Sequence, residues 1–136
     1  MGFNNALRSL IIFSTLVCGT AFALEQPIVV SFADQPINKF NQKLELAQQQ
    51  DRSWSQQPES ISAHYAGSSF QLAKVKKYQG KVVTYNVSGA SEQHPKMLLI
   101  LSMEKQKNRW KLDAARLTWQ CKNGLHFGTD RCSNNH

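Results

Sequence analysis

Cys121 and Cys132 are the side chains whose chemistry is easiest to narrow, because only the ten residues KNGLHFGTDR lie between them. Such a pair can form a disulfide, ligate a metal or act as a redox couple. The C-x-x-C spacing of a redox couple is absent. Zinc would need His126 and a further ligand such as His136, at spacings that follow no zinc motif. A disulfide is the reading that fits, and closing a loop of this size is worth about 3 kcal/mol in the chain-entropy model.

Other reactive groups stand alone. Ser102-Met103-Glu104-Lys105 fits S-x-x-K, in which a lysine base serves a serine nucleophile. Here it trails an apolar, strand-like run instead of opening a helix. His64, His94 and His126 have no partners at catalytic or metal spacing, and Glu45 and Asp51 read as solvated charges on a helix. The sequence has no nucleophile elbow, P-loop, H-E-x-x-H or paired-cysteine zinc box. The expectation is a non-enzymatic protein with no cofactor and no metal.

Charge carries the remaining functional signal. Residues 24–73 hold Lys39, Lys43 and Arg52 against five acids, whereas residues 74–136 hold twelve Lys/Arg against Glu92, Glu104, Asp113 and Asp130. In that basic half Lys74, Lys76 and Lys81 flank Tyr78. Lys105, Lys107, Arg109, Lys111, Arg116, Lys122 and Arg131 interleave with Trp110, Trp119 and Phe127. Lys74 and Lys76 are two apart, so on a strand they share one face. Cations beside rings meet the needs of single-stranded nucleic acid, charge for phosphates and rings for bases. They equally suit an acidic protein, lipopolysaccharide or peptidoglycan. A solvated basic face with the tryptophans buried accounts for the same pattern.

The amino-terminal residues set the compartment. Arg8 gives a positive n-region, Leu10 and the residues to Cys18 an apolar h-region, and Ala21-Phe22-Ala23 a small-x-small cleavage site. A membrane span needs about 20 apolar residues, and Ser14, Thr15, Gly19 and Thr20 interrupt this run. Residues 1–23 therefore read as a cleaved secretory signal and residues 24–136 as one periplasmic or secreted domain, with no stable membrane insertion afterwards. Removal of Cys18 leaves an even cysteine count, the usual mark of a disulfide in an exported chain.

The elements that must position these groups follow from periodicity. Residues 34–54 read as an amphipathic helix: Asp34 as N-cap, Pro36 in the first turn, and Ile37, Phe40, Leu44, Ala47 and Trp54 on one stripe. Ile28, Val29 and Val30 suit an edge strand, and the stretch around Pro58 a linker. From Ile61 the period becomes two, with a hairpin turn at Gln79-Gly80. MLLILSM suits a central strand, and 105–109 a basic turn. In RWKLDAARLTWQC the phase slips at Ala114-Ala115, which fits a bulge, with a short helix as the competing assignment. The predicted fold class is α+β: one N-terminal amphipathic helix packed on an antiparallel sheet of about four strands, then a disulfide loop.

That order, with Leu117-Thr118-Trp119-Gln120-Cys121 followed by Cys132, resembles the C-terminal globular half of type IV pilins. The resemblance spans roughly residues 35–134 by element order and about 16 residues by motif. It implies that the closed terminal loop is an exposed edge contacting partner subunits, surfaces or ligands. The prepilin N-terminus is missing: Gly2-Phe3 mimics the junction, but Leu7 stands where the family has Glu and the apolar run is too short. The resemblance thus implies a pilin-like, pilus-associated adhesion, assembly or DNA-uptake factor that does not enter a filament core. A periplasmic inhibitor or immunity protein, plugging an acidic enzyme or toxin with its basic face, is the alternative.

Overall fold

Alternation of apolar and polar residues governs the chain from residue 71 onward, and there it folds as four consecutive antiparallel strands. They are β2 (Gln71–Tyr78), β3 (Lys81–Ser88), β4 (Lys96–Gln106) and β5 (Arg109–Gln120). The computed structural model describes residues 27–133, so the signal segment read at 1–23 lies outside the described residues. A two-residue strand, β1 (Ala33–Asp34), pairs with the free side of β5 and gives the order β1-β5-β4-β3-β2. Gly80 turns β2 into β3 with a φ of 79°, a conformation that glycine adopts without strain. Lys107 and Asn108, both at positive φ, make the β4–β5 turn.

The expected layout is corrected in both of its parts. The fold is mostly a five-stranded antiparallel sheet carrying two short helices, α1 (Asn38–Gln49) and α2 (Pro58–Ala66), with a 3-10 turn at Ser53–Ser55 between them. It is more strand-rich than one long helix on about four strands. Asp34 does not cap a helix; it sits in β1, opposite Arg116. Residues around Pro58 are not a linker, and Ile61 does not begin a strand. Pro58 occupies the first turn of α2, where its missing N–H costs nothing, and Gly67 ends the helix at a φ of 83°. The slip expected at Ala114-Ala115 falls instead at Asp113, the extra residue between the Ser102–Ala114 and Met103–Leu112 pairs. The short-helix alternative for this stretch gives way to β5.

Both helices lie on one face of the sheet. Leu44 of α1 and Ile61 of α2 meet Leu99, Leu101, Met103, Leu112 and Ala115 in a buried cluster, with Ile37, Phe40, Trp54 and Tyr65 packed around it. The stripe read on α1 therefore does face the core. Its polar side has a structural task as well, since β1 covers only part of the β5 edge. Asn41 both accepts from the Leu112 N–H and donates to the Leu112 carbonyl, each at 2.9 Å, and Gln48 donates to the Trp110 carbonyl at 2.9 Å. These amides substitute for a neighbouring strand and block the remainder of that edge.

Beneath α2 lies a buried polar ring. The Ser62 and Thr84 hydroxyls are 2.7 Å apart, Ser62 donates to the Asn86 side-chain oxygen at 2.9 Å, and the Asn86 amide donates to Thr84 Oγ1 at 3.3 Å and to the Leu99 carbonyl at 3.2 Å. Because Ser62 spends its single proton on Asn86, Thr84 must donate to Ser62. Every donor in the ring then has one acceptor.

At the outer end of the helices His64 stacks on Trp54, with centroids 3.7 Å apart and planes 7° from parallel. Desolvation, assisted by the Lys43 ammonium, lowers the imidazole pKa below its ordinary 6.5. Between the folded and unfolded values the unfolded chain binds more protons. Stability is thus complete above the unfolded value and falls as pH drops through it. The melting temperature is expected to decline from pH 7 to pH 5 more steeply in the parent than in His64→Phe, which keeps the stack. Thermal melts at pH 7, 6 and 5 check this, and parallel slopes would count against it.

Candidate functional site

The helices cover one face of the sheet and leave the other open. Strand register defines this open face row by row. One row runs Lys74, Tyr85, Ile100, Arg116 and Asp34 across all five strands, and the next runs Lys76, Val83, Ser102 and Ala114. A third places Val87 beside Leu98. Segment 27–32 and Phe127 rise along the β5 side as a wall. Between that wall and β2 lies a groove of about 680 Å³, floored by Val83, Val87, Leu98, Ile100 and Ala114. This falls within the range of roughly 300–1,000 Å³ typical of small-molecule sites.

Among the described residues four cations line the groove (Lys74, Lys76, Lys96 and Arg116), and no carboxylate does. Three of them lie over aromatic rings: Lys76 is 5.7 Å from the Tyr85 centroid, Lys96 is 6.0 Å from Phe127, and Arg116 is 4.4 Å from Phe32. Arg116 also reaches Asp34 at 3.7 Å at the outer edge. The wall is left wet on its apolar side, with Val30 61% and Phe32 45% exposed.

The terminal segment builds this wall. Cys121 and Cys132 are joined as a disulfide. The residues between them do not all project as a loop. Trp119 and Gly128 exchange a pair of backbone hydrogen bonds at 2.8 and 2.9 Å, and Phe127 is buried. Phe127 then exchanges backbone bonds with segment 28–30, donating to the Ile28 carbonyl and accepting from the Val30 N–H, each at 2.9 Å. The Ser31 hydroxyl accepts from the Thr129 N–H at 2.9 Å. The edge strand read at Ile28, Val29 and Val30 is thus a single parallel bridge, Val29 to Phe127, and 127–128 is the intervening ribbon. Leu125, 84% exposed, stands clear of it.

The structure separates the ten cations singled out in the sequence. Lys74, Lys76 and Arg116 meet on the groove, where the spacing of two does place Lys74 and Lys76 on one face. Lys81 is held by Glu104 and Asp113 at 3.8 and 3.4 Å. Lys105 lies on the helix side, 5.2 Å over Trp110. Lys107, Arg109 and Lys111 border a separate polar depression beside α1. Lys122 adjoins a shallow hollow next to the start of β4, and Arg131 is exposed beside Cys132. Sequence reasoning missed Lys96, although its parity with Leu98 and Ile100 in the β4 run was the available signal. Ser102 and Lys105 of the S-x-x-K match project from opposite faces of β4, so the lysine cannot serve the serine. Among the described residues no three His, Cys, Asp or Glu side chains come together as a metal site, and no helix is long and apolar enough to cross a membrane.

Comparison with protein-family models, with curated proteins and with solved structures finds no match. Fold and site together define a class only: a small disulfide-stapled antiparallel sheet, backed by helices on one face and bearing a cation-rimmed apolar groove on the other.

Proposed function

We propose that this chain is an exported, non-enzymatic binding domain whose working surface is the open face of the sheet. Its partner is an anion with an apolar body. One observation carries the reading: among the described residues, an aliphatic floor is lined by four cations and by no carboxylate. Apolar contact supplies affinity there, and the positive charge of Lys74 and Lys96 selects and steers the partner. The nucleic-acid version draws on a different feature, Tyr78 at the end of β2, which is 54% exposed.

The test is to isolate the protein from its own source with whatever it has bound and identify that partner by mass spectrometry. Lys74→Glu/Lys96→Glu should strip the partner, while Lys107→Glu/Lys122→Glu should retain it. Retention by both variants would sink the reading. The inhibitor reading becomes the case in which the recovered anion is an acidic protein. The pilin-like reading draws on a different feature, Leu125 at the tip of the closed segment, 84% exposed. It requires that Leu125→Asp, and not the groove variant, abolish recovery of pilus subunits.

A further inference from the structure

Resting on that reading, we infer that the groove takes a single-chain amphiphile with an anionic headgroup, of the long-chain fatty-acyl class. The floor is made of branched aliphatic side chains. Apart from the cations, the described side chains of the lining offer only the Tyr85 and Ser102 hydroxyls for hydrogen bonding. The backbone of β3 and β4 is occupied by ladders on both sides. A sugar, a nucleotide or a peptide backbone would leave most of its polar groups unpaired on such a surface, at a cost that hydrocarbon does not incur.

The cations stand at the rim and not on the floor. Lys74 and Arg116 lie in the same cross-strand row, three strand spacings or about 14 Å apart, and Lys96 closes the end near Phe127. A headgroup at the rim can meet an ammonium while its chain lies across Val83, Val87 and Ile100 and covers the exposed sides of Val30 and Phe32. A second copy of this chain is a poor occupant, because each groove would bring Lys74 and Lys96 against the same pair.

The experiment uses the oxidised protein, stripped of bound amphiphile, titrated with monomeric dodecanoate and followed by calorimetry and native mass spectrometry. A 1:1 complex is expected. Lys74→Glu/Lys96→Glu should weaken it about tenfold or more, in line with the loss of a charge-assisted contact. Dodecanol, with the same chain and no charge, should bind more weakly by a similar factor. Ser102→Glu places a carboxylate on the floor at a position that already tolerates a polar side chain, so it should abolish binding without unfolding the sheet. Absence of a 1:1 complex, or a complex indifferent to Ser102→Glu, overturns the inference. Capture only by phosphatidylglycerol vesicles, or only by poly-glutamate, overturns it too, in favour of a membrane surface or an acidic protein. The broader reading survives any of these failures provided Lys74→Glu/Lys96→Glu still strips the native partner.

Discussion

Replacing Asn86 with Ala is expected to cost about 3–4 kcal/mol of folding stability, seen as a lower urea midpoint at pH 7. Asn86 is 1% exposed, as are its partners in all but name: Ser62 and Thr84 are at 0%. Truncation removes the acceptor of the Ser62 proton and the donor to Thr84 and to the Leu99 carbonyl, and it leaves a void under α2. The orphaned hydroxyls are fully buried, so their lost partners leave a desolvation cost. The ring acts as a unit, which allows a sharper check. Ser62→Ala/Thr84→Val/Asn86→Leu removes every polar member at once and should recover most of the loss. A single-variant cost below about 1 kcal/mol, or a triple variant worse than the single, would show that the ring is not closed as described.

The same ring explains what could be read in the sequence and what could not. Strands β3 and β4 were legible because apolar alternation and the Gln79-Gly80 turn act locally. The core stripe of α1 was legible because Ile37, Phe40, Leu44 and Ala47 recur at helical spacing. Helix α2 was misread because Ile61, Ala63 and Tyr65 alternate like a strand. Its true stripe, Pro58, Ile61, Ser62, Tyr65 and Ala66, includes a serine that is buried only because Thr84 and Asn86 await it on β3. No local pattern discloses such a partner. β1 was misplaced for a similar reason: its pairing with β5 is long-range, and Asp34 looks like a helix cap until Arg116 is opposite it.

The candidate site was legible in its charges and not in their grouping. Parity alone joins Lys74 to Lys76 on one strand. Uniting them with Arg116 and Lys96 requires the register of four strands, and separating them from Lys81 requires Glu104 and Asp113. The cysteine pairing was legible because the spacing of Cys121 and Cys132 fits neither a redox couple nor a zinc motif. Its role was not, since Phe127 and Gly128 look like loop residues until segment 28–31 is laid beside them. The staple fixes the ribbon on which the groove wall is built, and only the tip around Leu125 is left as a free edge.

From that role comes the second large effect. Cys121→Ala/Cys132→Ala should lower global stability by about 3 kcal/mol in the chain-entropy model. The loss should not be spread evenly, because proteins open in local units whose stabilities differ. The ribbon 127–129 is held by the Trp119–Gly128 bonds, by the Phe127 bonds to segment 28–30 and by Thr129 on Ser31, whereas β2, β3 and β4 are ladders of eight residues or more. Freed from the staple, the ribbon and segment 28–31 should exchange their amide hydrogens about 100-fold faster, the factor that ~3 kcal/mol corresponds to, before the amides of β3 and β4 respond. Phe127, Val30 and Phe32 leave the wall with them, so retention of the bound partner should fall under conditions where the sheet remains folded. Hydrogen exchange read residue by residue decides the matter. Unchanged protection at 127–129 would mean that backbone pairing alone holds the ribbon, and the disulfide would then have no part in shaping the groove.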